Sequence, residues 1–120
     1  AAELTALTGL ARIAFERGDL DRSRELNERV AALSEQRGDR WNEAHARNNL
    51  GSIEFSVGDP GEAVRHYLRA TELFQQIGQR AGAITPLTNV AIAQKHLGQY
   101  DDAAATLDRA LAECVQARDR

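Results

Sequence analysis

A glycine stands at every twentieth position along most of the chain, at residues 18, 38, 58, 78 and 98. Residues 1–40, 41–80 and 81–120 can be laid over one another without a gap, and some columns are then identical in all three copies. These columns are Gly18/Gly58/Gly98, Arg29/Arg69/Arg109, Gln36/Gln76/Gln116 and Arg40/Arg80/Arg120. An ungapped period of this length predicts a solenoid of repeated units that arose by duplication.

The apolar residues between these glycines are spaced as on a helix. In the second copy Ala63, Tyr67, Ala70, Phe74 and Ile77 step by four, three, four and three residues, which places them on one helical face. A glycine after each stripe suits a left-handed C-terminal cap, and the residue that follows it, often Asp, suits the N-cap of the next helix. The pattern predicts an all-α chain with six helices near residues 3–17, 20–37, 40–57, 60–77, 84–97 and 100–116.

The two prolines of the chain bear on where helices begin. Asp59-Pro60-Gly61-Glu62 has the residues of a capping box with proline at the first helical position. Pro86 falls inside the fifth helical segment. Because proline removes an interior hydrogen bond, we expect that helix to start near Thr85 or to kink there.

The second helix of the first copy has an unusually polar face. Its stripe is polar where the other copies are apolar, and consists of Ser23, Asn27, Val30, Ser34 and Arg37. A shifted stripe of Leu26, Val30 and Leu33 is also present, so we expect this helix to be rotated or less tightly packed.

Composition excludes several classes of protein. A net charge of −3 argues against a nucleic-acid binder, which normally shows a basic excess. No apolar run approaches the roughly 20 residues of a membrane helix, so we expect no membrane partner. The single cysteine cannot form an internal disulfide and the start of the chain does not resemble a signal peptide, which favours the cytoplasm. The absence of any methionine suggests a piece of a longer protein.

The sequence offers little support for catalysis. His45, His66 and His96 lie far apart, and none is followed by a second ligand three or four residues later, so we expect no metal. Cys114 lies on an apolar stripe and reads as a small core or end-face residue. The glycines are spaced as caps and do not form a phosphate-binding loop. We therefore expect no catalytic residues and no cofactor.

The sequence resembles the tetratricopeptide repeat family. The resemblance rests on Asn49-Leu50-Gly51, Gly58-Asp59-Pro60-Gly61-Glu62-Ala63 and Tyr67-Leu68-Arg69-Ala70, and on the matching segments 89–91, 98–103 and 107–111. It implies one domain over residues 1–120, built from three helix–turn–helix repeats stacked in a right-handed α-solenoid. The 40-residue period looks like the variant common in bacterial regulatory and signalling proteins.

In this family the first helix of each repeat lines a concave groove that binds a protein or peptide segment. By column, the resemblance implies partner-binding roles for Thr8, Arg12, Phe15, His45, Asn48, Asn49, Ser52, Phe55, Thr88, Asn89, Ile92, Lys95 and His96. Asn49 and Asn89 match the asparagine that often holds a peptide backbone. Phe15 and Phe55 could equally serve the groove or the packing between helices. Glu54 stands where the family usually has an aromatic, so it is either exposed at an edge or bonded to a neighbouring arginine or amide.

The sequence therefore predicts a non-catalytic interaction scaffold, part of a bacterial regulator. A structural or self-association segment, and a sensor of a small ligand, stay open as alternatives.

Each repeat buries its apolar face only against the next one, so we expect exposed apolar surface at the ends of the solenoid. The residues concerned are Leu107, Leu111, Cys114 and Val115 at one end and Leu4, Leu7 and Ile84 at the other. Such surface predicts a homo-oligomer through the C-terminal helix, or further repeats in a longer protein.

Overall fold

The computed structural model describes residues 2–118. Within that range it has no strand and six α-helices: α1 Ala2–Glu16, α2 Leu20–Gln36, α3 Arg40–Ser56, α4 Pro60–Gln76, α5 Arg80–His96 and α6 Tyr100–Arg118. Each helix packs mainly on its neighbours in the chain, and α1 also touches α3. The three helical hairpins stack as an α-solenoid, which confirms the predicted fold class. None of the described helices has the length and apolarity needed to cross a bilayer.

The glycines of the period close the helices as expected. All five have positive φ, between +68° and +91°, where a residue with a Cβ is strained. In the first turn Gly18 N–H donates to Phe15 O at 3.0 Å and Asp19 N–H donates to Ala14 O at 2.9 Å. These are the two hydrogen bonds of a Schellman cap, so a local signal in the sequence sets each helix end.

The aspartates after these glycines cap the next helices. Each accepts a hydrogen bond from the backbone N–H three residues on, at 3.1–3.2 Å: Asp19, Asp39 and Asp59. Gln79 makes no such bond. The capping box expected at Asp59 is only half formed, because the N–H of Asp59 donates to Glu54 O at 2.8 Å and is not available to the Glu62 carboxylate.

The fifth helix begins at Arg80, so the predicted start near Thr85 is wrong. Pro86 lies inside the helix and is buried. The segment ahead of the proline is held by packing on α4, where Gly82 lies so close to Phe74 that an added Cβ would be 2.7 Å from ring atom Cδ1. This contact between helices stabilises the turn that proline would otherwise discourage.

The polar stripe of α2 faces the interior, so the expected rotation of this helix does not occur. Ser23, Asn27 and Ser34 are each at most 3% exposed, and Leu26 and Val30 are buried beside them. The buried face is therefore wide enough to include both stripes. Asn27 Nδ2 donates to Ser23 O at 3.0 Å, as buried polar groups generally require.

Glu54 bonds to a neighbouring arginine, which is one of the two outcomes expected for it. Its Oε1 accepts hydrogen bonds from Arg24 Nε at 2.9 Å and from Nη2 at 2.7 Å. This bond to Glu54 raises the pKa of Arg24. The pair links α2 to α3 across the junction between the first two hairpins.

The two ends of the solenoid differ from the expectation. Leu4 and Leu7 are buried, because they pack with Leu26 and Val30 of α2, so their predicted exposure is wrong. Ile84 is half-buried. At the other end, α6 does leave apolar side chains exposed, namely Leu107, Leu111 and Val115, with Cys114 half-buried.

Candidate functional site

A cavity of about 650 Å³ lies between α1 and α3, above α2. Six of its lining residues come from α1, two from α2 and five from α3: Thr5, Thr8, Gly9, Ala11, Arg12, Phe15, Ser23, Asn27, Trp41, Asn42, His45, Asn49 and Ser52. The first helices of two successive hairpins therefore form its sides, and a second helix forms its floor.

The floor of the cavity is polar and held by hydrogen bonds. Ser23 Oγ donates to Ala11 O at 2.9 Å, and Asn27 Nδ2 donates to Ser23 O at 3.0 Å. Asn49 Nδ2 donates to Asn27 Oδ1 at 3.4 Å. This chain of bonds runs from α1 through α2 to α3, so the amide of Asn49 is oriented in advance of any ligand.

One wall of the cavity is aromatic. The ring centroids of Trp41 and His45 lie 4.1 Å apart, and His45 meets Phe74 edge-on at 5.1 Å. Burial lowers the pKa of His45, which favours the neutral imidazole at neutral pH. Trp41 and Phe15 are 51% and 38% exposed, so they present apolar surface towards the groove.

The rim of the cavity carries little charge. Apart from His45, Arg12 is the only acidic or basic side chain among the described residues that line it, and no carboxylate of residues 2–118 pairs with it. Asn42 lies at the start of α3, where its Nδ2 donates to Asp39 Oδ2 at 2.6 Å. That bond is the main reason why the pKa of Asp39 is lowered. The cavity is thus lined mostly by amide, hydroxyl and aromatic groups.

A second, smaller cavity of about 240 Å³ follows along the groove, between α3 and α5. Its lining residues are Ser52, Phe55, Ser56, Tyr67, Asn89 and Ile92. Ser52 lines both cavities, and its Oγ lies 3.2 Å from Tyr67 Oη. The two cavities are therefore successive parts of one groove.

The sequence-predicted residues divide into three groups. Thr8, Arg12, Phe15, His45, Asn49 and Ser52 meet at the larger cavity, and Ser52, Phe55, Asn89 and Ile92 at the smaller one. Both phenylalanines therefore contribute to the groove surface. Asn48, Thr88, Lys95 and His96 line neither cavity.

Three of the four predicted residues outside the cavities make contacts within the protein. Asn48 Oδ1 accepts a hydrogen bond from Asn89 Nδ2 at 3.2 Å, which joins α3 to α5. Thr88 Oγ1 donates to Ile84 O one turn back at 2.9 Å. The ring of His96 packs edge-on against Phe55 at 4.9 Å. Lys95 is exposed.

Sequence reasoning missed several residues of the larger cavity: Ala11, Ser23, Asn27, Trp41 and Asn42. Trp41 could have been found, because positions 41, 45, 49 and 52 share one helical face and three of them were already assigned to the groove. Ser23 and Asn27 were identified as polar, but the helical face that they share was assigned to packing between helices.

The described residues contain no group of three His, Cys, Asp or Glu side chains that could hold a metal ion. Arg12 and His45 line the larger cavity, and its described lining includes no carboxylate and no thiol. This arrangement can donate and accept hydrogen bonds, bury apolar side chains and pair with one negative charge. These interactions are suited to holding another molecule.

One of the known structures that this chain resembles has the same fold. The TPR domain of Arabidopsis FLU aligns with a TM-score of 0.87 over 96% of this chain and 97% of that chain, at 16% sequence identity. A crystal structure of MamA aligns with a TM-score of 0.46 over 98% of this chain and 81% of that chain, also at 16% identity. At this identity the likeness to FLU establishes the fold alone. No curated protein sequence matches the chain significantly.

Comparison with protein-family models gives a second and independent result. The tetratricopeptide repeat model matches residues 2–76 and again residues 42–113. The two matches overlap and together extend over nearly the whole chain. The protein therefore belongs to the tetratricopeptide repeat family.

Proposed function

We propose that the chain is a non-catalytic interaction module that binds a segment of another protein in the groove between α1 and α3. The observation that carries the proposal is the cavity of about 650 Å³ with its polar floor and aromatic wall. Tetratricopeptide repeats generally mediate contacts between proteins, and this supports the same function. The site itself supplies the finer argument, because a fold alone does not specify a function.

The lining of the cavity suits an extended peptide with one apolar or aromatic side chain. Trp41 and Phe15 provide the apolar surface that typically anchors such a side chain. Asn49 uses one N–H on Asn27, and its Oδ1 and second N–H have no partner among residues 2–118. An amide that can donate and accept at once is suited to a peptide backbone. Arg12 adds a preference for a carboxylate nearby on the peptide.

The wider setting of the domain is also a proposal. We infer that residues 1–120 form one domain of a larger cytoplasmic bacterial regulator. Two family matches that begin at residues 2 and 42 support a regular 40-residue repeat, the period on which the resemblance to such regulators rests. In that setting the bound segment would belong to an effector domain or to a partner protein.

A small organic ligand is a second candidate occupant. The volume of the larger cavity lies within the range of roughly 300–1,000 Å³ that small-molecule sites occupy. Such a ligand would use the same aromatic wall but would not extend to the smaller cavity. The two candidates therefore differ in whether Asn89 contributes to binding.

Trp41 makes a direct experiment available, because it is the chain's one tryptophan and lines the larger cavity. Tryptophan-free peptides selected from a random phage-displayed library are titrated into the protein while Trp41 fluorescence is recorded. We expect Asn49→Ala to weaken binding by at least about tenfold, equivalent to about 1.4 kcal/mol. Asn89→Ala should weaken it less but measurably. The exposed amide variant Gln75→Ala is the matched control and should bind as the wild type does.

A blocking variant tests the site from the other direction. Asn27 occupies the column of Tyr67, and Ala11 that of Gly51, where an added Cβ would lie 2.6 Å from the tyrosine ring. The double variant Ala11→Gly/Asn27→Tyr therefore copies the second hairpin, and it should fill the larger cavity and abolish the fluorescence response. If peptides bind to this variant and to Asn49→Ala as well as to the wild type, the groove assignment fails. If Asn49→Ala weakens binding while Asn89→Ala leaves it unchanged, the small-ligand interpretation is favoured.

A further inference from the structure

The outward face of α1 carries an exposed apolar stripe. Its members are Ala6, Leu10 and Ile13, and the two larger side chains are each 51% exposed. We call this the leading stripe. The same columns one repeat later hold Ala46, Leu50 and Ile53, and two repeats later Pro86, Val90 and Ala93. Those six residues are all buried.

The outward face of α6 carries a second apolar stripe, made of Leu107, Leu111 and Cys114. We call this the trailing stripe. Leu107 and Leu111 are 48% and 63% exposed, and Cys114 is half-buried. The same columns in α2 hold Asn27, Ala31 and Ser34, and in α4 they hold Tyr67, Thr71 and Phe74. All six of those residues are buried.

The internal junctions of the solenoid are built from these same two sets of columns. Helix α2 packs on α3, and α4 packs on α5. Tyr67 of α4 shares a buried cluster with Val90 of α5, and Ala31 of α2 shares one with Ala46 of α3. The described chain therefore has two complete junctions between hairpins. The leading stripe at one end and the trailing stripe at the other each correspond to one side of such a junction.

The two exposed halves can be compared in size with the internal junctions. If they met as the internal junctions do, Leu107 would lie against Leu10 in the place of Tyr67 against Val90. Leu111 would lie against Ala6 in the place of Ala31 against Ala46. The first pair would join two large side chains, as Tyr67 and Val90 do, and the second would join a large side chain to a small one where the internal junction has two small ones.

The charges in neighbouring columns differ from those of the internal junctions. The Arg24–Glu54 pair of the first junction is replaced by Ala104 and Ala14, so that ion pair is absent there. Glu3 and Glu113 stand in the columns of Ala83 and Leu73, which share a buried cluster, so these two carboxylates would approach each other. Each is already paired within its own chain, with Arg37 Nη2 at 2.7 Å and with Arg80 Nη1 at 3.4 Å.

We propose that a second copy of this chain docks the leading stripe of its α1 on the trailing stripe of α6, and so repeats the internal junction between chains. The contact is head to tail, because the two surfaces are different. A heterologous contact of this kind leaves one free stripe at each end and permits assembly into longer rows. The groove plays no part in it, so this proposal is independent of the proposed function.

Analytical ultracentrifugation of the 120-residue chain and two end variants tests the proposal. The wild type should show an average mass that rises with concentration from the micromolar to the millimolar range. Leu10→Glu and Leu111→Glu each retain one intact stripe, so each alone should stay at the mass of one chain. An equimolar mixture of the two should form a species of two chains and grow no further.

The matched control is Leu68→Glu. Leu68 is 38% exposed on α4, and its column holds Glu28 and Asp108 in the other copies, so it lies outside both stripes. This variant should assemble as the wild type does, and circular dichroism should show that all three variants keep their helices. A wild type that stays monomeric at millimolar concentration would overturn the proposal. So would dimers of Leu10→Glu alone, which would indicate contact between two α6 helices, or loss of assembly in Leu68→Glu.

Discussion

The two cavities of the groove are built on the same repeated backbone and yet differ by more than a factor of two in volume, at about 650 and 240 Å³. Below the larger one, the floor columns hold Ser23 and Asn27. Below the smaller one, they hold Ala63 and Tyr67. The tyrosine ring occupies space that the asparagine leaves open. The size of one side chain in a shared column thus decides where the solenoid keeps room for a ligand.

The same contrast extends to the neighbouring columns. Gly51 faces the Tyr67 ring so closely that an added Cβ would lie 2.6 Å from Cδ1, whereas the first copy has Ala11 in that column. Phe74 is buried in the second copy, and its column in the first copy holds Ser34. In these columns the second hairpin therefore carries large aromatic rings, and the first carries small or polar residues.

Truncation in the column of Phe74 and Ser34 should have the largest effect and opposite signs in the two copies. Phe74→Ala removes a buried ring and should lower the free energy of unfolding by about 3–5 kcal/mol. Ser34→Ala should raise it by about 1 kcal/mol, because Ser34 Oγ is buried without a hydrogen-bond partner in the described chain. Urea unfolding measures both. A clear loss of stability in Ser34→Ala would mean that this hydroxyl has a partner after all.

The contact of Gly51 with Tyr67 should appear as a coupling between two substitutions. Gly51→Ala alone should cost about 1–3 kcal/mol, because its methyl group meets the ring. In a Tyr67→Asn background, which copies the first hairpin, the same change should cost nothing. A double-mutant cycle in urea measures this coupling. If the two changes prove additive, the ring moves aside freely, and the smaller cavity is not limited by Tyr67.

The helix caps differ between the repeats in a way that one substitution can remove. Asp39 caps α3 with its side chain, whereas Gln79 makes no cap bond to α5. Gln79→Asp should therefore raise the free energy of unfolding by about 1 kcal/mol, and Asp39→Gln should lower it by a similar amount. Thermal melting compares the two. An unchanged melting temperature in Gln79→Asp would show that the start of α5 is held by packing alone.

The pH dependence of stability should carry the smallest effect. Burial lowers the pKa of both His45 and His66, and the charge of Arg47 lowers that of His66 further. Since each folded pKa lies below the unfolded value of about 6.5, the unfolded chain binds protons first as the pH falls. Stability present above pH ~6.5 should be lost as the pH falls through the folded values. The double variant His45→Phe/His66→Phe should show a flatter profile in urea unfolding at each pH, and an unchanged profile would contradict this assignment.

Most of the fold could be predicted from local sequence signals. The glycines at 18, 38 and 58 and the aspartates after them mark helix ends through backbone conformation and hydrogen bonds that span only a few residues. The site was predicted less completely. Asn49 and His45, which the family resemblance assigns to partner binding, line the larger cavity; their binding role stays a prediction, and the predicted set did not include Trp41.

The sequence by itself determined the period, the six helices and their caps, because each depends on contacts within a few residues of chain. Only the tertiary structure decided that α5 extends ahead of Pro86, that Leu4 and Leu7 are buried, and that Asn27 forms the floor of a cavity. Those outcomes depend on residues from different helices: Gly82 meeting Phe74, Leu4 meeting Leu26, Asn49 meeting Asn27. Whether the space at a column is filled or left as a cavity depends on the side chains that meet there. Helical periodicity gives the face on which a residue lies, but it does not give the size of its neighbour across the junction.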